Sequence, residues 1–239
     1  MPKVLVLGGT RGLGLELAKI AKFTGQEPLV FGRKWKYENP KIMFRQFDFT
    51  QDLAISRRIV YELSVRHLLI NITHVFWVAG IYLCRPFVQV DEAEELKMTQ
   101  VHLLGPLSFL RLFINRYQKP FHLVTVASTA SWRLGKNEAI YRALKAAKAQ
   151  FTRQLAYELP TGSKTTVVNV DGMKTDCFKE AGVKKDTSQF LDPAAVAECI
   201  WTEIAKQEAV LDELQIERLP GGNFALSHGT RAAQLEFDF

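Results

Sequence analysis

Tyr141 and Lys145 stand four residues apart, a spacing that puts both side chains on one face of a helix. A phenol titrates near about pH 10 in water, too high for a base at neutral pH, and an adjacent ammonium lowers that value. The pair could exchange a proton with a carbonyl or alcohol oxygen while a hydride moves to or from a nicotinamide. Tyr-x-x-x-Lys also describes an ordinary helical surface pair, so its surroundings decide. Ser128 lies thirteen positions before the tyrosine, at the end of the apolar run Leu123–Ala127.

The elements that would position these groups alternate along the chain. Lys3–Leu7, Pro28–Phe31, Ile42–Phe47, His74–Val78, Phe121–Ala127, Thr165–Val170 and Val210–Glu217 read as strands. Gly12–Phe23, Asp52–Leu69, Glu92–Tyr117, Glu138–Glu158 and Pro193 to about Lys206 read as helices. Asp192 gives the last helix an N-cap, and Pro193 suits its first position. Gly105-Pro106 predicts a kink or a close contact within Glu92–Tyr117. Seven strands interleaved with helices predict an α/β fold. We expect one Rossmann-type domain over residues 1–239, with a doubly wound, seven-stranded parallel sheet and helices on both faces. Thr175–Leu191 has no clear period and lies where such folds bind ligands. From about residue 222 the chain reads as an irregular tail.

The first strand runs into Gly8-Gly9-Thr10-Arg11-Gly12-Leu13-Gly14, and a helix follows. The glycines allow a tight turn and close approach of backbone to a phosphate, and the helix start offers N–H groups and a positive dipole end. A strand before and a helix after are the context a dinucleotide site requires. At the end of the second strand, Leu29-Val30-Phe31-Gly32-Arg33, the acidic residue that would hold NAD ribose hydroxyls is absent. Arg33 instead could meet a 2′-phosphate, and Arg11 points to the same preference. Solvated surface arginines are the competing reading. Together the two favour NADP(H).

Composition narrows the classes. Hydrophobic residues make up 47% and charged residues 23% of 239, which suits a soluble globular chain with a sizeable core. The formal charge is +6, but the basic residues are scattered among acids, so we expect no nucleic-acid partner. No apolar run approaches the roughly 20 residues that span a bilayer, and the start does not read as a signal peptide. Cys84, Cys177 and Cys199 form no metal-ligand spacing and read as free thiols in a reducing compartment. We therefore expect a cytoplasmic protein without metal.

The motifs together resemble the short-chain dehydrogenase/reductase family over roughly residues 3 to 217. The Gly-x-x-x-Gly-x-Gly spacing, the Ser128–Tyr141 interval and Tyr-x-x-x-Lys carry the likeness, with Leu7 where a threonine is usual. The resemblance implies that Gly8, Thr10, Gly12, Leu13 and Gly14 surround the pyrophosphate, and that Asp48 and Phe49 meet the adenine. An aspartate at the start of the next helix would explain Asp48 equally. Tyr141 would be the general acid/base, Lys145 would bind the nicotinamide ribose, and Ser128 would orient the substrate. Gly172 and Thr175 match the segment that lies against the nicotinamide, with Asp171 in place of a proline.

Two departures are plain. The usual Asn-Asn-Ala-Gly reads Trp77-Val78-Ala79-Gly80, which keeps only the two small residues. His102 falls where an asparagine completes a proton relay. It could relay protons or simply pack in a helix interior, and both readings stand. The implied activity is NADPH-dependent exchange between a small-molecule carbonyl and alcohol. A cofactor-binding sensor or scaffold with little catalysis is the alternative. The family implies a homodimer or homotetramer. Phe178, Phe190, Trp132 and Leu191 suggest an apolar pocket. Gln234–Phe239 looks a little like short clamp-binding peptides, or is an ordinary tail packed on a neighbouring subunit.

Overall fold

The structure is a computed structural model that describes residues 1–35, 37, 42–50, 58–63 and 67–229. Gln234–Phe239 lies outside them. The strands β1 (Lys3–Leu7), β2 (Glu27–Gly32), β3 (Met43–Gln46), β4 (Ile72–Trp77), β5 (His122–Val126), β6 (Lys164–Val170), β7 (Leu211–Arg218) and β8 (Phe224–His228) form one sheet. Its order is β3-β2-β1-β4-β5-β6-β7-β8. All neighbours run parallel except β8, which pairs antiparallel with β7.

Helices follow the strands: α1 (Gly12–Phe23), α2 (helical at 58–63), α3 (Glu92–Thr99), α4 (Gly105–Arg116), α5 (Ala139–Leu155), α6 (Cys177–Glu180) and α7 (Pro193–Lys206). The core lies in two layers because successive strand residues face opposite sides. Val4 and Val6 of β1 join α1 and α7 on one face, around Leu17, Val196 and Ile200. Leu5 and Leu7 join α4 and α5 on the other, around Phe109, Phe113 and Leu155. Covering both faces is why β1 and β5 are buried throughout.

Three expectations change. The sheet has eight strands, not seven, and the eighth is antiparallel. Phe224–His228, read as part of an irregular tail, is that strand. It follows a Pro220–Gly222 turn closed by Leu219 N donating to Asn223 O at 2.8 Å. Its residues are largely exposed, so its apolar signal is thin. Glu92–Tyr117 is not one helix. A π-helical turn, Gln100–Leu104, separates α3 from α4, and Gly105 N donates back to Gln100 O. Pro106 has no N–H to give His102 O, so the α ladder fails there. Gly105 also makes the close contact, because a Cβ there would meet Phe49 O at 2.5 Å. The expected helix Asp52–Leu69 lies partly outside the described residues. Asp192 caps α7 as expected, its Oδ1 accepting from Ala194 N at 3.2 Å.

Sheet order reverses between β1 and β4. A crevice forms there at the carboxyl ends of the strands, where open α/β sheets bind ligands.

Candidate active site

The ends of β1, β4, β5 and β6 open onto one cleft of about 980 Å³. At one end lies the glycine turn. Gly8 has φ +88, and a Cβ there would sit 2.6 Å from the Ala79 backbone, so only glycine fits. α1 starts with no side-chain cap from Arg11 and no acid in its first turn. Its first N–H groups therefore remain for an anion. Thr10, Gly12 and Leu13 line the cleft. Gly14 does not line it and instead packs against the Gly8 backbone. A pyrophosphate fits this cradle, since side chains there would fill it.

Arg33 is exposed at the end of β2, lines the same part of the cleft, and makes no ion pair among the described residues. Arg11 is held differently. Its guanidinium pairs with Glu180 of α6, so the two half-exposed groups link the glycine turn to the loop after β6. Asp48 Oδ1 accepts from Thr50 N at 3.0 Å and Thr50 Oγ1 at 2.8 Å, and Phe49 lies beside it in the cleft wall.

Ser128, Tyr141 and Lys145 converge at the other end. Ser128 Oγ accepts from Ala130 N at 3.1 Å, which fixes it at the end of β5. Facing Tyr141, it favours the phenolate. Burial outweighs that help and, with Cys177, raises the Tyr141 pKa above its ordinary value. Lys145 Nζ donates to Ala127 O at 3.1 Å and Val126 O at 3.3 Å, and lies 5.8 Å from the centre of the Tyr141 ring. Burial lowers it to about 8. The ammonium thus does not bring Tyr141 down as the spacing suggested. Desolvation is the larger effect, and Tyr141 is a protonated phenol at neutral pH.

His102 projects from the π-helical turn and is fully buried. Its Nε2 lies 2.7 Å from Ile81 O and 3.1 Å from Ile81 N, and its ring stands edge-on to Tyr141 at 5.7 Å. Burial, then Lys145 and Lys148, hold its pKa well below 6.5, so the ring is neutral. With the proton on Nε2 for Ile81 O, Nδ1 is a buried acceptor without a hydrogen-bond partner among the described residues. Gly80 passes close to the ring, and a Cβ there would lie 3.0 Å from His102 Cε1.

Gly172 and Thr175 close the cleft from the β6 side. Gly172 N donates to Asp171 Oδ1 at 2.7 Å, and Asp171 in turn pairs with Arg133 at 3.2 Å. The aspartate thus stiffens the turn where a proline is usual. Of the expected apolar wall, Phe178 lines the cleft. Phe190 and Leu191 are buried behind it, and Trp132 lies outside it, half-exposed. Sequence reasoning missed Tyr82, whose ring packs edge-on against Tyr141 at 5.0 Å and Phe178 at 4.8 Å while its hydroxyl donates to Glu138. It also missed Cys177, which receives a hydrogen bond from Thr175 Oγ1 at 3.1 Å, and Lys148. Lys148 alone left a signal, since positions 141, 145 and 148 share a helix face.

Fold and site together define an NAD(P)-dependent dehydrogenase/reductase. The family model for short chain dehydrogenase matches residues 2–186, and the chain belongs to that family. It is similar to an L-xylulose reductase of Caenorhabditis elegans, 23% identical over 90% of this chain and 82% of the relative. Among solved structures it is similar to an alcohol dehydrogenase from the archaeon Thermococcus sibiricus complexed with 5-hydroxy-NADP. That match has 16% identity, covers 100% of both chains and has a TM-score of 0.76. A short-chain dehydrogenase from Sphingobium yanoikuyae in complex with NADPH matches at 16% identity over 86% of this chain and 85% of that one, TM-score 0.71. Among the described residues no helix is long and apolar enough to cross a membrane, and no cluster of three His, Cys, Asp or Glu could hold a metal.

Proposed function

We propose that the chain is an NADPH-dependent reductase of small carbonyl compounds, working in one catalytic domain over residues 1–239. The observation that carries this is the convergence of Ser128, Tyr141 and Lys145 in the cleft that the glycine turn opens. When bound, NADPH supplies the hydride. Ser128 holds the carbonyl oxygen, and Tyr141, a phenol at neutral pH, gives that oxygen its proton. Lys145 orients the ribose side of the cofactor. Gly8, Gly12 and the α1 N-terminus hold the pyrophosphate, Asp48 and Phe49 face the adenine, and Arg33 takes the 2′-phosphate once Arg11 is free to join it. The 5-hydroxy-NADP of the Thermococcus structure and the NADPH of the Sphingobium structure support the choice of NADP(H). Cytoplasmic residence and assembly as a homodimer or homotetramer belong to the same reading.

The absent amides at Trp77 and Val78 favour a second reading, a cofactor-binding sensor or scaffold with little catalysis. Oxidation of NADPH by a panel of ketones, aldehydes and quinones separates the two. We expect turnover that Tyr141→Phe reduces strongly. Turnover unchanged by that substitution sinks the mechanism, and no turnover with tight NADPH binding supports the scaffold. Tighter binding of NADH than NADPH overturns the cofactor choice.

A further inference from the structure

α5 carries a second lysine on the face that holds Tyr141 and Lys145. Lys148 is 0% exposed and, among the described residues, has no carboxylate partner. Its Nζ donates to Ala79 O at 3.1 Å and lies 4.7 Å from the centre of the Trp77 indole. Burying an amine without a carboxylate is costly, and a hydrophobic side chain would fill this space more cheaply. Violations of this kind gather at functional positions.

What Lys148 touches is the cofactor side of the cleft. Ala79 N donates to Leu7 O at 2.8 Å, and the Ala79 backbone is the surface against which Gly8 packs. Two residues on, His102 Nε2 holds the Ile81 carbonyl at 2.7 Å. The run from 79 to 81 therefore hangs from Leu7, Lys148 and His102. Val78 has no polar side-chain atom for this work, and Trp77 Nε1 is buried without a hydrogen-bond partner among the described residues.

We propose that Lys148 is a positioning residue whose amine holds the Ala79 carbonyl and so fixes the segment 79–81 against the cofactor. Burial, then the neighbouring Lys145 ammonium, push its pKa well below the ordinary value. One N–H serves Ala79 O and another points toward the indole face. The proposal rests on the reading of the cleft as an NADP(H) site.

Lys148→Met keeps the volume and removes the donor, and Lys148→Gln restores a donor. NADPH affinity is read by nicotinamide fluorescence, with kcat and the melting temperature alongside. We expect Lys148→Met to melt at or above the wild type yet bind NADPH about tenfold more weakly, the scale of one hydrogen bond. Lys148→Gln should recover most of that loss. Unchanged binding in Lys148→Met overturns the proposal, as does a Gln variant no better than the Met one. A melting temperature that collapses in both variants also overturns it, since the lysine is then structural only. Because binding is measured without turnover, a protein that proves non-catalytic still answers this question, whereas failure of the wild type to bind NADPH faults the cofactor reading itself.

Discussion

Tyr141 gains its character from burial, and that sets its direction. A phenol held above its ordinary pKa gives a proton to a developing alkoxide and does not start as a base. Tyr141→Phe should lower kcat by about 10²- to 10⁴-fold, the range of a lost general acid, with the melting temperature little changed. Arg11 presents the opposite case, a group already engaged. Glu180→Gln frees it, and since exposed ion pairs contribute about 0–1 kcal/mol, NADPH should bind up to about fivefold tighter. An unchanged or weaker dissociation constant shows that Arg11 takes no part in cofactor binding. Ser128, Tyr141 and Lys145 were legible because their spacing along one strand end and one helix face is local. Glu180 was not, because its pairing joins positions 169 residues apart. Lys148 was visible by period alone, but a lysine on a helix reads as solvated surface until its burial is known.

At the level of elements, the π-helical turn matters most. It turns His102 inward because Pro106 cannot complete an α-helical bond to the His102 carbonyl. Pro106→Ala supplies that N–H. We expect a continuous helix, a melting temperature equal or higher, and kcat roughly tenfold lower as His102 leaves Ile81, the loss of one placed hydrogen bond. Retained kcat in a variant that shows α-helical hydrogen exchange through 100–104 refutes this role of the turn. The Gly105-Pro106 pair announced an irregularity: the close contact occurs, and the break in the helix takes the form of a π-helical turn. Its displacement toward residue 100 was hidden, because the missing bond lies four residues before the proline. The eighth strand was hidden for another reason. Phe224–His228 pairs with β7 alone, and its alternation rests on just Phe224 and Leu226, too short a pattern to mark a strand.

Across the whole molecule, histidines that fold as neutral groups set the acid limit. Burial lowers His74 to about 4 and His122 to about 3, against 6.5 unfolded. The unfolded chain binds protons first as pH falls below 6.5, so stability present above that value is lost progressively down to about 4 and 3. The melting temperature should fall over this window, and His74→Gln should flatten the fall. A slope that His74→Gln leaves unchanged assigns the loss to other groups. The doubly wound parallel sheet and its two covered faces were legible because buried parallel strands leave continuous apolar runs, whereas partners brought together only by folding were not. The Arg11–Glu180 pair has a last consequence, for ionic strength. A chain of net charge +6 attracts an anionic cofactor, and salt weakens that attraction. Salt equally weakens the internal carboxylate that competes for Arg11. If Arg11 joins the cofactor's phosphate, affinity for NADPH should decline less steeply with added salt than that of Glu180→Gln.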